Sequence, residues 1–234
     1  MTKLLPERHT YSYHKKLNPK IWDVKTHDLD IQIRVKLLKE VLLFYKFLGV
    51  NDLKIQDIII TGSNAGYNYT AKSDLDLHII VDFSNYRDAD ILKNLCDTKR
   101  FLWSYYYSIK IHGVPTEIYV QDASEGVDSN GIYSLLYGKW LKFPSDKNPN
   151  YNDADISQKT KNIKKDLDEV ISSPTIEHID FLLKKIHDFR TVGLDNGGEY
   201  STDNVVYKNI RSLGYIDKLV KVKQKLIDKK YSLK

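Results

Sequence analysis

The chain has 234 residues, 41% of them hydrophobic, enough for one large domain or two small ones with packed cores. No apolar run is long enough for a transmembrane helix, and the polar start, Met1 to Asn18, carries no signal-peptide core. A net charge of +5 permits acidic partners such as nucleotides or RNA without demanding them, and the single Cys96 excludes an internal disulfide, which fits a reducing, cytoplasmic setting.

Residues 1–28 are mixed and basic, with Pro6 and Pro19, and read as an irregular arm. His9, His14 and His27 lack ligand spacing and are expected to be exposed. The spacing of Leu29, Ile33, Leu37, Val41, Phe44, Tyr45 and Leu48 predicts a helix over 29–48, with Lys36, Lys39, Glu40 and Lys46 on its polar side. Asp28 is its expected N-cap and Gly49 its stop. Residues 55–61 and 74–83 are β-branched runs that predict two strands, with Asp82 as a turn residue at the end of the second.

A second helix is predicted over 87–104, with Ala89, Leu92, Leu95, Cys96, Phe101 and Leu102 as its apolar positions and Cys96 a core thiol. Tyr105-Tyr106-Tyr107 is strand-prone. From 107 to 122, Ile109 and Ile111 alternate with polar residues, Gly113 and Pro115 suggest a hairpin-like turn, and a strand follows. In that strand Glu117, Tyr119 and Gln121 face one way and Ile118 and Val120 the other. Ser134 sits in an apolar, aromatic setting and is read as core.

Residues 144–155 are rich in turn formers and mark the expected domain boundary. Beyond them the chain reads as helices over 156–172 and 176–190, broken at Pro174, then a loop over 193–201. A last helix, capped by Thr202 or Asp203, is expected to reach about Lys230. Its Lys208, Arg211, Lys218, Lys221, Lys223, Lys225, Lys229 and Lys230 form a basic face, suited to a phosphate backbone or simply solvated and balanced by Asp217 and Asp228.

The chemistry concentrates between 58 and 83. Period two places Asp74 and Asp76 on one face and Leu75, Leu77 and Ile79 on the other. Two carboxylates one pleat apart repel, and a divalent cation offsets that repulsion; Mg²⁺ prefers oxygen ligands and usually binds beside phosphate. The Gly62-Ser63 turn supplies the complement: close backbone approach at Gly62, and hydroxyl and N–H donors for phosphate oxygens. Asn68-Tyr69-Thr70 matches a glycosylation acceptor, a reading that needs a secretory route the sequence does not show.

Gly62-Ser63, ten intervening residues and Asp74-Leu75-Asp76-Leu77 together resemble the signature of the DNA polymerase β-type nucleotidyltransferase superfamily. The resemblance covers roughly Asp57 to Asp122. The whole chain also resembles nucleotidyltransferase-domain proteins often encoded by tailed bacteriophages, through Thr61 to Ala65, Ser73 to His78 and Glu117 to Asp122. The resemblance implies an α+β fold: a palm over 1–145, made of a small mixed sheet with flanking helices, and a helical C-terminal domain over 146–234. It implies two Mg²⁺ ions held by Asp74, Asp76 and a third acid on a later strand. Glu117 leads for that place and Asp122 is the reserve. Gly62, Ser63, Asn64 and Ser73 are the expected contacts of a nucleoside triphosphate. By the same analogy Arg190, on the helix that also carries His178 and His187, would contact phosphate, and His78 is an outer-shell residue or has no role. The acceptor hydroxyl is left open among an RNA 3′ end, favoured by the basic helix, a protein and a small molecule. A non-catalytic nucleotide- or RNA-binding module is the alternative from another class.

Overall fold

β-Branched apolar runs form the centre of the sheet. Strands β1 (Ile55–Thr61), β2 (Leu75–Val81), β3 (Lys110–Ile111), β4 (Val114–Asp122), β5 (Ile132–Ser134) and β6 (Lys139–Lys142) form one mixed, six-stranded sheet in the order β3-β4-β2-β1-β5-β6. The structure, a computed structural model, describes residues 13–145 and 152–233. Pro6, His9 and residues 146–151 of the turn-rich stretch lie outside them. The described residues divide into two compact units, 13–145 and 152–233. The α+β class expected from the sequence is the one observed: the sheet and its helices fill the first unit, and the second is helical.

Only β2 and β4 run parallel, and helix α2 (Ala89–Tyr106) makes the crossover that parallel neighbours require. Leu75, Leu77 and Ile79 of β2 and Ile118 of β4 are buried on the face packed by helices, each contributing on the order of 1.5–3 kcal/mol. The parallel register sets Asp76 beside Glu117 and His78 beside Tyr119 on the opposite face. β3 and β4 make the expected hairpin, with His112-Gly113 as its turn.

Helix α1 spans Ile31–Leu48 and ends at Gly49, whose φ of 68° is left-handed. Its N-cap is Asp30, which accepts from the Gln32 and Ile33 amides, not Asp28. Leu29 is still extended there, bridged to Trp22, so the helix cannot begin sooner. Glu40 also departs from expectation. It is buried rather than polar-side; one carboxylate oxygen accepts from Thr116 Oγ1 at 2.6 Å, and the other is buried with no hydrogen-bond partner. Burial raises its pKa, with the Thr116 bond a smaller opposing effect.

A carboxyl whose folded pKa is raised destabilises the fold as pH climbs from its unfolded value through its folded value. Below that window Glu40 is neutral in both states and costs nothing. Glu40→Gln keeps an acceptor for Thr116 and removes the buried charge. It is expected to raise stability near neutral pH by about 1–2 kcal/mol and to leave acid stability unchanged. Denaturant midpoints at the two pH values check this; equal gains at both would contradict it.

Three further expectations are corrected in this unit. The segment after Tyr13 is no loose arm: Leu17, Asn18, Ile21 and Trp22 are buried. His14 stacks on Tyr69 with ring centroids 3.9 Å apart. In α2 the packed side is Ala89, Leu92, Cys96 and Trp103, while Leu95, Phe101 and Leu102 are exposed. Tyr105 and Tyr106 finish that helix instead of starting a strand. Cys96 is a buried free thiol, pushed up to about 11 by burial and then by Asp97. Ser134 is core, as expected, and donates to Asp57.

The second unit holds α3 (Asp153–Ser172), α4 (Ile176–Gly197), α5 (Thr202–Ser212) and α6 (Tyr215–Tyr231) around Leu167, Ile179, Leu182, Ile186, Ile210 and Leu219. The predicted loop over 193–201 is mostly helix. Gly193 is buried where α4 meets the start of α5, and a Cβ on it would lie 2.8 Å from Asp203 Cβ, so the glycine serves close packing and not a turn. The predicted last helix is two, parted at Gly214, with Ser201 as the cap of α5. Lys218, Lys221, Lys225 and Lys229 recur at helical spacing along α6 and are exposed. Among the described residues no helix is long and apolar enough to cross a membrane.

Candidate active site

Gly62 ends β1 in a conformation of φ 72°, ψ −163°, open essentially to glycine alone. A Cβ there would fall 1.9 Å from Asp76 Oδ2. The Asp76 carboxylate therefore lies directly on the turn, as the pairing of Thr61 with Asp76 requires. The Gly62 amide donates to Ser129 Oγ at 3.2 Å. Ser63 Oγ donates to Ser73 Oγ at 2.8 Å, and Ser73 Oγ accepts from the Thr70 amide at 2.9 Å. The turn and the residue before Asp74 are thus stitched together through their hydroxyls.

Asp74, Asp76 and Glu117 converge. One carboxylate oxygen from each lies within 4.8 Å of the others, and all three residues are partly exposed. Charges at that distance repel by roughly 3 kcal/mol per pair at an effective dielectric of about 20. Arg100 of α2 offsets part of this, with Nη1 3.6 Å from Glu117 Oε1. The donor set is oxygen alone, which suits Mg²⁺ or Mn²⁺ and not a thiolate- or imidazole-seeking metal.

Asn64, expected from the sequence as a nucleotide contact, is bonded on all sides by the fold. It is fully buried, donates to the Asp74 carbonyl at 2.6 Å and accepts from Asn18 Nδ2 at 2.7 Å. Its own carbonyl accepts from Trp22 Nε1 at 2.6 Å. Asp82 caps a short 3₁₀ turn at the far end of β2, as expected of a turn residue. Asp122, the reserve acid, pairs with Val81 at that same far end. Arg190 stacks over Tyr207 at 4.8 Å within the helical unit.

A polar floor lies behind the acids on the same sheet face. His78 is buried and lies against Tyr119, with ring centroids 4.1 Å apart and the ring planes tilted by 45°. Gln121 Nε2 donates to the Glu125 carbonyl, which fixes its Oε1 as an acceptor. His78 Nδ1 therefore donates to Gln121 Oε1 at 2.5 Å, and Nε2 accepts from the Thr61 hydroxyl at 2.9 Å. Burial, partly opposed by the Gln121 bond, lowers the His78 pKa to about 4, so the ring is neutral at pH 7. Burial and the nearby Asp76 charge hold the Tyr119 hydroxyl protonated. This floor ties β1, which leads into Gly62, to β2 and β4, which carry Asp76 and Glu117.

His78→Phe leaves the Thr61 hydroxyl and the Gln121 carbonyl without their partner. It is expected to cost roughly 2–4 kcal/mol of stability and to weaken divalent-cation binding by about 10–100-fold. Denaturant titration and Mn²⁺ titration read the two effects separately; unchanged Mn²⁺ affinity in folded protein would remove the floor from the account.

The sequence names the three acids that converge here and the turn beside them, but not Asn18, Trp22, Thr61 and Arg100 around them. The common face of Glu117, Tyr119 and Gln121 was the one signal for Gln121. No protein-family model matches the chain, and no curated protein sequence matches it. Among solved structures, one described as a STING-associated CdnE c-di-GMP synthase from Capnocytophaga granulosa aligns over 85% of this chain and 82% of its own, at 14% identity and a TM-score of 0.24. A likeness that slight carries no chemistry over to this chain.

Proposed function

We propose that the chain is a divalent-metal-dependent nucleotidyltransferase, moving a nucleoside monophosphate from a nucleoside triphosphate to an acceptor hydroxyl. The observation that carries this reading is the convergence of Asp74, Asp76 and Glu117 oxygens beside the Gly62-Ser63 turn. Two bound Mg²⁺ ions would supply electrostatic stabilisation of the attacking and leaving oxygens. Asp74, Asp76 and Glu117 are the residues that would hold them. Glu117 would also accept the proton of the acceptor hydroxyl. Ser63 and Ser73 present hydroxyls to the outgoing pyrophosphate, and Gly62 keeps the backbone low enough for it to approach. Asn64, Asn18 and Trp22 hold the turn in place from behind.

The acceptor we favour is an RNA 3′ end. What supports it is the exposed lysine stripe of α6, spaced to follow a phosphate backbone. The test is pyrophosphate release from each labelled triphosphate with Mg²⁺, with RNA present or absent. Label on RNA is the expected result. Label on the protein itself would redirect the acceptor, and no pyrophosphate under any condition would refute the reading.

A further inference from the structure

The second apolar stripe of α2 is exposed. Phe101 and Tyr105 are one helical turn apart, with 66% and 83% of their surface open to solvent. Aromatic rings left this open on adjoining positions signal a binding surface more often than spare core. They are tied to the acids by one side chain. The Arg100 guanidinium lies over the Phe101 ring at 4.7 Å and over the Tyr119 ring at 5.5 Å, and pairs with Glu117. Its Nε is buried with no hydrogen-bond partner. An aromatic and cationic track thus starts at Glu117 and runs out along α2.

Direction follows from the sheet order and rests on the proposed reaction. The phosphate turn follows β1, Asp74 and Asp76 lie at the start of β2 and Glu117 on β4, in the spatial sequence β1-β2-β4. In-line displacement puts the attacking and leaving oxygens on opposite sides of the phosphorus. With pyrophosphate leaving over the β1 turn, the acceptor enters from the β4 side, which α2 flanks. We propose that Phe101 and Tyr105 form a stacking platform for the nucleobase of an acceptor nucleoside, with Arg100 linking that platform to Glu117. Flat rings interleaved with a cation are what a base recognises, whether it ends an RNA strand or belongs to a free nucleotide.

The test uses the full chain and a fluorescein-labelled single-stranded oligoadenylate, followed by anisotropy without added metal or triphosphate. Phe101→Ala and Tyr105→Ala are each expected to weaken binding roughly tenfold, the scale of one lost base–ring stack. Phe101→Trp is expected to retain it. Both positions are exposed, so thermal midpoints should not move. Competition by AMP would show that a free nucleotide suffices, and its failure to compete would assign the site to a strand end; either supports the platform. No oligonucleotide binding, or binding indifferent to both alanine variants, overturns it. So does a wild-type dimer in analytical ultracentrifugation that these variants dissociate, since the face would then be a contact between copies. Mn²⁺ titration of the same proteins reports on the acid site independently, so loss of the platform and loss of the metal reading are told apart.

Discussion

Asp76→Asn is expected to lower nucleotidyl transfer by about a thousandfold or more while leaving the fold intact. The acid sits on the Gly62 turn and shares a space of 4.8 Å with oxygens of Asp74 and Glu117. In the proposed reaction, removing one charge would strip a ligand from a cation worth several kcal/mol of transition-state stabilisation, and each 1.4 kcal/mol is tenfold in rate. The same change relieves repulsion in the metal-free protein. The thermal midpoint without metal should therefore hold or rise by a few degrees, and the further rise with Mg²⁺ expected of the wild type should be absent from the variant. Asparagine is nearly the size of aspartate, so a large fall in the metal-free midpoint would mean the carboxylate is structural. Wild-type turnover in this variant would remove the metal scheme altogether. Ser63→Ala is a milder change, since the backbone of the turn remains.

Gly62→Ala should be the most damaging single methyl in the sheet. It forces a non-glycine residue into a glycine-only conformation, costing about 1–3 kcal/mol. It also places a carbon where Asp76 Oδ2 now lies, 1.9 Å away. Either the carboxylate rotates off the site or β1 and β2 part at their ends. The expected outcome is a stability loss of roughly 2–4 kcal/mol together with Mn²⁺ affinity weakened more than about tenfold. Gly113→Ala is the control. Gly113 also has a positive φ, 83°, but nothing lies within 4 Å of its would-be Cβ. That variant pays strain alone and keeps its metal affinity.

How much of this was legible in the sequence depends on which physical pattern each part obeys. β2 writes its faces in period two, so Asp74 and Asp76 could be set against Leu75 and Leu77 without a structure. Glu117 needed more. Its face was readable, but its position beside Asp76 depends on β4 running parallel to β2, a pairing that no local pattern encodes. The segment from Tyr13 to Leu29 has no periodicity, so nothing announced that Asn18 and Trp22 buttress Asn64. α2 offers two apolar stripes, and the sequence could not say that Trp103, not Phe101, is the buried one. Glu40 looked polar-side by residue type, yet it occupies a core position one residue before Val41. β5 and β6 are only three and four residues long, too short to show alternation.

The most direct test of the central claim is anomalous diffraction from crystals of the full chain soaked in Mn²⁺ with a non-hydrolysable triphosphate. The account predicts an anomalous peak at ligand distance, about 2.0–2.2 Å, from carboxylate oxygens of Asp74, Asp76 and Glu117, with the triphosphate against the Gly62-Ser63 turn. A triphosphate bound elsewhere, or no Mn²⁺ among these three acids with Glu117 still paired to Arg100, would contradict it.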